Sequence, residues 1–195
     1  MLTIIKNRRS VRSYTDRRPE RFVLEQVVEA AGWAPSGMDR QSWQFLVIQG
    51  EALEYLRTAV REQFCALELK DSHPPFFAKC KQWAEEDEGW SFFYGAPALL
   101  VISNVAEERN AMAESAAAAE NAILEAAALG LSSCWITTLN GLCDEPGLRP
   151  VLTGLGIPTN HRIYVALALG YGADQPKPSP RTYRTRWVEQ APALP

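Results

Sequence analysis

The chain has 195 residues, 47% of them apolar and 22% charged, with a formal net charge of −3. This length predicts a single domain over 1–195 with a sizeable core, and the composition is that of an ordinary globular protein. The apolar runs are too short to cross a bilayer, and the slight acidity argues against a general polyanion binder, so neither a membrane nor a nucleic acid is an expected partner.

The opening apolar patch of Leu2, Ile4 and Ile5 is short and is followed by Lys6, Arg8 and Arg9, the reverse of secretory order; a cytoplasmic protein is expected. In the run from Arg8 to Tyr14, an extended backbone would put Arg8, Ser10 and Arg12 on one side. Two guanidiniums and a hydroxyl there can hold a phosphate, although a solvated basic terminus fits the same residues. A nucleic-acid arm fits them less well, since no aromatic or Gly-rich interleaving accompanies the charges. After Pro19, the residues Val23, Leu24, Val27, Val28 and Ala31 recur at helical spacing and Gly32 closes the segment, which predicts an amphipathic helix. The stretch from Ala34 to Trp43 is dense in turn residues and delivers the chain to a strand over 44–48. Within it Ser36, Asp39, Arg40 and Gln41 offer donors and acceptors, and Gly37 permits close backbone approach; an ordinary connection is the competing reading.

Leu53, Leu56, Val60, Phe64 and Leu67 predict a second amphipathic helix over 51–69. From Asp71 to Tyr94 the periodicity fades and aromatic residues crowd around Glu85 to Glu88. Such a segment suits a lid or insertion at about 70–94, a partner surface, or a packed satellite cluster. A buried strand over 98–103 leads into an Ala-rich helix predicted over 104–130, with Asn104 and Glu107 as its capping pair and Gly130 as its C-terminal cap. Its small side chains suit close approach of neighbouring backbones, either within the chain core or across a dimer, and Glu114, Glu120 and Glu125 are expected along an exposed edge. A strand over 131–138, a short helix over 146–154 and a nearly all-apolar strand over 163–169 complete the pattern. Together they predict a mixed, largely buried α/β or α+β sheet with helices on both faces.

Cys65, Cys80, Cys134 and Cys143 lack paired spacing and are expected as free thiols, Cys134 being a small buried hydrophobe. His73 and His161 have no third ligand at metal spacing, so no metal is expected. Seven of the twenty bases fall within the first 21 residues, and Lys177, Arg181, Arg184 and Arg186 lie in the tail. Something anionic can be held where the two ends meet.

Several of these stretches, in order, resemble the nitroreductase family. Arg8-Arg9-Ser10-Val11-Arg12-Ser13-Tyr14 is similar to the family's R-R-S-x-R-x-[FY] element. Ala34-Pro35-Ser36-Gly37 through Gln41-x-Trp43-x-Phe45 is similar to its A-P-S-x-x-N-x-Q-P-W-x-F loop. Gly95-Ala96-Pro97-Ala98, the Ala-rich helix through Glu120-Asn121 to Leu131, and Ala168-Leu169-Gly170-Tyr171 follow in the family's order, so the likeness spans about residues 4 to 186.

The resemblance implies a nitroreductase-like α+β fold, an α/β/α sandwich with a mixed, mainly antiparallel sheet flanked by helices around a long central Ala-rich helix, and flavin mononucleotide (FMN) as cofactor. It implies that Arg8, Arg9, Ser10 and Arg12, joined by Arg181 from the tail, hold the phosphate and ribityl chain. It also implies a homodimer in which Pro35, Ser36, Gly37, Asp39 and Gln41 reach the partner's flavin, while the backbone of Trp135, Ile136, Thr137 and Thr138 lies beside the ring. NADH or NADPH would be the electron donor and a small conjugated molecule the acceptor, in a ping-pong reaction with no side chain nominated as acid, base or nucleophile. A flavin-binding protein without turnover, and a specialised flavin oxidase or dehalogenase, are the alternatives. Two positions depart from the family pattern: Asp39 stands where it has Asn, and Ser42 where it has Pro. A carboxylate cannot donate a hydrogen bond unless protonated, and its charge near the ring would disfavour reduced anionic flavin.

Overall fold

The computed structural model describes residues 1–71, 73–174 and 176–189. Four strands, β1 (Gln44–Gln49), β2 (Ala98–Val105), β3 (Ser132–Ile136) and β4 (His161–Gly170), form one sheet in the order β1-β2-β4-β3. All three ladders are antiparallel. The one parallel link among the described residues is an isolated bridge between Ser10 and Ser133. The mixed, mainly antiparallel expectation is therefore met with the mixing confined to that bridge.

Both sheet faces are covered, which is why β2 and β4 read as near-continuous apolar runs. On one face lie α2 (Arg21–Gly32) and α5 (Ala111–Ala128), packed over Leu100, Ile102, Val165, Leu167 and Leu169. On the other lie α3 (Glu51–Ala66), α4 (Phe76–Glu86), α6 (Thr138–Leu142) and α7 (Arg149–Gly154), over Leu99, Val101, Ile136 and Ile163. In α3 the residues Leu56, Val60 and Phe64 are fully buried, each contributing about 1.5–3 kcal/mol relative to exposure. A short helix, α1 (Leu2–Asn7), precedes the basic run; its six residues carry no buried side chain.

Three expectations are corrected. The central helix begins at Ala111 rather than Asn104, because β2 continues its pairing with β4 as far as Val105 opposite His161. Asn104 is thus a buried strand residue, its side-chain oxygen accepting from the Val105 N–H at 2.8 Å. The strand expected over 131–138 stops at Ile136, and Thr138 starts α6. The stretch from Asp71 to Tyr94 is not irregular throughout: α4 buries Phe77, Cys80 and Ala84, and Phe77 and Trp90 both meet Phe64 edge-on. This segment is part of the core beneath α3 and contributes to it through Phe92 and Phe93. All four cysteines are free, and no described helix is long and apolar enough to cross a membrane.

Candidate functional site

The two ends of the chain are stitched together at the β3 edge of the sheet. The Val11 N–H donates to Ser133 O at 3.0 Å, the Thr15 N–H to Tyr171 O at 2.9 Å, and the Ala173 N–H to Ser13 O at 2.9 Å. Gly172 permits this closeness, since a Cβ there would lie 2.6 Å from Ser132 Oγ and 3.1 Å from Val11 Cγ1. Tyr14 anchors the crossing from below. Its hydroxyl donates to Val11 O at 2.9 Å, and burial, the main cause, raises its pKa well above the tyrosine range, so it remains a neutral donor.

Beside this seam lies a cavity of ≈ 610 Å³, lined by α1, the basic run, the end of α5, the start of β3 and the tail. Arg8, Arg9 and Lys177 bring positive charge to it, and Ser132 and Ser133 bring hydroxyls; Asp174 is the one carboxylate in its wall. The Arg8 guanidinium lies 3.8 Å from Glu120 of α5, a half-exposed pair of little energetic weight. Arg9 donates to Lys6 O at 2.9 Å, to Arg8 O, and to Lys177 O at 3.4 Å, so it ties α1 to the tail.

The expected row of Arg8, Ser10 and Arg12 does not form as a single face. Arg8 follows a helix rather than a strand, and Arg8 with Arg9 lines the cavity. Ser10 sits half-buried in the bridge to Ser133, while Arg12 turns over the Tyr94 ring, 5.7 Å from its centroid. Arg181 lies in the exposed stretch 176–189, outside any helix or strand, and is not among the cavity-lining residues; Lys177 is the tail cation that is. Beyond the cavity lining, β3 ends and α6 begins: Trp135 is half-buried, Ile136 and Thr138 are buried, and Thr137 is exposed. Cys134 beside them is raised in pKa, chiefly by burial, and is chemically quiet.

The loop from Pro35 to Gln41 is built elsewhere. It forms a short 3₁₀ turn over Gly37–Asp39, and Met38, Asp39 and Gln41 have φ of 53°, 54° and 48°, a left-handed region that side chains other than glycine avoid. Internal bonds tighten it: the Gln41 N–H donates to Ser36 Oγ at 3.1 Å, and Gln41 Nε2 to Asp39 Oδ1 at 2.7 Å. Arg40 pairs with Glu108 at 2.6 Å and so does not neutralise Asp39. The Gly37 N–H donates to Glu114 Oε1 at 2.7 Å. Glu114 is the residue that sequence reasoning misplaced. It was expected along an exposed edge with Glu120 and Glu125 but is only 6% exposed. Its position in the first turn of α5, where acids are favoured, was the available signal.

Loop and arginines approach different faces of α5. Glu114 and Glu120 are six positions apart, which puts them about 9 Å apart along the axis and about 120° apart around it.

The model of the nitroreductase family matches residues 5–171. The chain belongs to the nitroreductase family. It is 33% identical to a nitroreductase with bound FMN from Bacteroides fragilis NCTC 9343, superposing with a TM-score of 0.81 over 97% of each chain. It is 28% identical to an iodotyrosine deiodinase of Drosophila melanogaster, over 88% of this chain and 62% of that one. It is 25% identical to a putative NADH dehydrogenase/NAD(P)H nitroreductase of Archaeoglobus fulgidus, over 89% of this chain and 86% of that one. The fold is nitroreductase-like, and the antiparallel α+β sandwich described above is its form in this chain.

Proposed function

We propose that this protein is an FMN-dependent oxidoreductase that takes electrons from NADH or NADPH and passes them to a nitroaromatic, quinone or other conjugated acceptor. The observation that carries the reading is the cavity where the two basic chain ends meet. Its volume of ≈ 610 Å³ lies within the range of cofactor sites, and Arg8, Arg9 and Lys177 with the Ser132 and Ser133 hydroxyls suit a phosphate monoester and a polyol. The donor set therefore fits FMN. Arg8 and Arg9 would hold the phosphate, joined by Lys177 in place of, or together with, Arg181. Ser10 and Arg12 would serve the chain of hydroxyls, and the Trp135–Thr138 backbone the ring. When bound, the flavin supplies the hydride acceptance and electron release; the protein binds, orients and shields it.

A homodimer with composite sites follows from the same reading. Because the Pro35–Gln41 loop and the arginines approach different faces of α5, the loop is free to serve the flavin of a partner subunit. The exposed Tyr183, Trp187 and Val188 of the tail offer apolar surface for a second chain to cover. The fully buried Ala118, Ala119, Ala122 and Ala126 do not support the dimer as expected, because α2 and the sheet already cover them.

A reductive dehalogenase is the second reading, favoured by the deiodinase relative. The absorbance spectrum of purified protein, followed by anaerobic titration with each nicotinamide and then with a nitroaromatic or a halogenated phenol, separates the readings. Arg8→Ala should weaken FMN about tenfold or more, the loss of one charge-assisted contact. A colourless protein that FMN does not stabilise against heat sinks the proposal; a flavin that no nicotinamide bleaches reduces it to a binding protein.

A further inference from the structure

A carboxylate is costly to bury unless its environment compensates the charge, and Glu114 is buried with a single hydrogen-bond partner among the described residues. That partner is the Gly37 N–H, 2.7 Å from Oε1, while Oε2 is buried without one. Gly37 is fitted to the contact: a Cβ there would lie 3.3 Å from Glu114 Oε1 and 3.1 Å from Asn110 Nδ2. Immediately after it, Met38, Asp39 and Gln41 adopt left-handed φ values, a conformation that persists only where surrounding structure imposes it. The bonds among Ser36, Asp39 and Gln41 are internal to the loop and cannot fix it to the body. Two acids do: Glu108, in the turn before α5, through the partly exposed Arg40, and Glu114, in the first turn of α5, through the Gly37 backbone. Of the two, the Glu114 contact is the more deeply buried and the one that grips the backbone of the strained turn directly.

We infer that Glu114 is the positioning residue of the Pro35–Gln41 loop, holding it in the strained conformation that presents Ser36, Asp39 and Gln41 to the flavin. The inference rests on the proposed flavin role of the loop. Its first half, that Glu114 holds the loop, is independent of any cofactor.

The test uses the full chain and two variants, Glu114→Gln and Glu114→Ala. Amide hydrogen exchange of the flavin-free protein is followed over residues 35–43 and over β2 and β4 as internal reference. The 35–43 amides should exchange about tenfold or more faster in Glu114→Ala, and less than that in Glu114→Gln, whose side-chain oxygen still accepts from Gly37 but without charge. Glu108→Ala should change them only a few-fold. In the flavin-loaded protein, both Glu114 variants should lower FMN affinity and move its reduction potential, in the same order. Exchange at 35–43 that stays within about twofold of wild type, or that rises equally over β2 and β4, overturns the inference; should Glu114→Ala fail to fold, Glu114→Gln carries the test. Faster loop exchange with wild-type FMN affinity and potential overturns the flavin half alone. Absence of FMN binding by the wild type instead sinks the reading on which that half rests, and the exchange data still decide the first half.

Discussion

Gly170→Ala probes whether the seam between the chain ends is a fixed part of the fold. Gly170 ends β4, paired with Ser132 of β3, and the N-terminal run crosses just above it. A Cβ at this position would lie 2.5 Å from Pro97 Cδ, 2.9 Å from Pro97 Cγ and 3.0 Å from Tyr14 Cδ1. The proline ring cannot rotate aside, and Tyr14 is held by its hydroxyl bond to Val11, so relief requires the backbone at Pro97 to shift and the crossing at Tyr14 to give way with it. Overpacking of this kind costs about 1–3 kcal/mol, and for a chain of this size each kcal/mol lowers the melting temperature by about 2–4 °C. A loss of about 2–12 °C is expected by differential scanning fluorimetry. Gly154→Ala is the control: it closes α7 with nothing within 4 Å of a built Cβ, and should be neutral or slightly stabilising. Because the crossing carries Arg8 to Arg12, Gly170→Ala should also weaken FMN binding beyond its effect on folding. Melting within about 1 °C of wild type would refute the reasoning, since neither the Pro97 turn nor the crossing at Tyr14 would then be a fixed wall.

Asp39→Asn should raise the flavin reduction potential, because Arg40 is engaged by Glu108 and leaves the Asp39 charge in place. One charge near a protein surface is worth about 1–4 kcal/mol, and about 1.4 kcal/mol corresponds to roughly 30 mV for a two-electron couple; an unchanged or lowered potential in anaerobic dye equilibration would remove Asp39 from the ring. His161 yields a pH prediction. Its pKa is lowered from 6.5, first by burial and then by Arg149, while its Nδ1 lies 3.1 Å from Ser103 Oγ. Below pH 6.5 the unfolded chain therefore binds more protons at this position, and the stability that neutral His161 contributes, fully present above that pH, is lost as pH falls through the folded pKa. Chemical denaturation between about pH 7.5 and about pH 5 should show a steeper decline in wild type than in His161→Gln; parallel profiles would exclude the histidine.

Much of the fold was legible because its signals were local. Helical spacing marked α2 and α3, near-continuous apolar runs marked β2 and β4, and turn residues marked the Pro35–Gln41 loop. What stayed hidden depended on pairing across the chain. Asn104 resembles a helix cap until β4 is seen to hold it in a strand, and α4 is set within the aromatic segment by Phe64, which meets both Phe77 and Trp90 edge-on. The meeting of the basic ends was foreseeable from charge, but which tail cation reaches the cavity was not. Proline-spaced tail residues have no periodicity that distinguishes Lys177 from Arg181, and the choice is made by the Arg9 contact with Lys177 O. Glu114 was hidden for the same reason: a carboxylate on an Ala-rich helix looks solvent-facing unless a backbone N–H from 77 residues away is known to meet it.

The composition of α5 then acquires a reason beyond helix propensity. Ala118, Ala119, Ala122 and Ala126 are fully buried where α2 and the sheet converge, and side chains this small let α2 lie close. The loop is the continuation of α2, so the distance between these two helices sets where the loop begins. Asn121 fixes that junction, its Nδ2 donating to Ala30 O at 3.1 Å two residues before α2 ends. About two turns earlier on the same helix, Glu114 takes the Gly37 N–H. The strained loop is thus held at its root and at its first turn by one rigid element, and the other end of that element, from Ala127 onward, lines the cavity beside Arg8 and Arg9. A bulkier residue at Ala118 or Ala122 would therefore do more than loosen the core. It would separate α2 from α5, draw Ala30 away from Asn121, and shift the loop relative to Glu114 without touching any residue of the cavity.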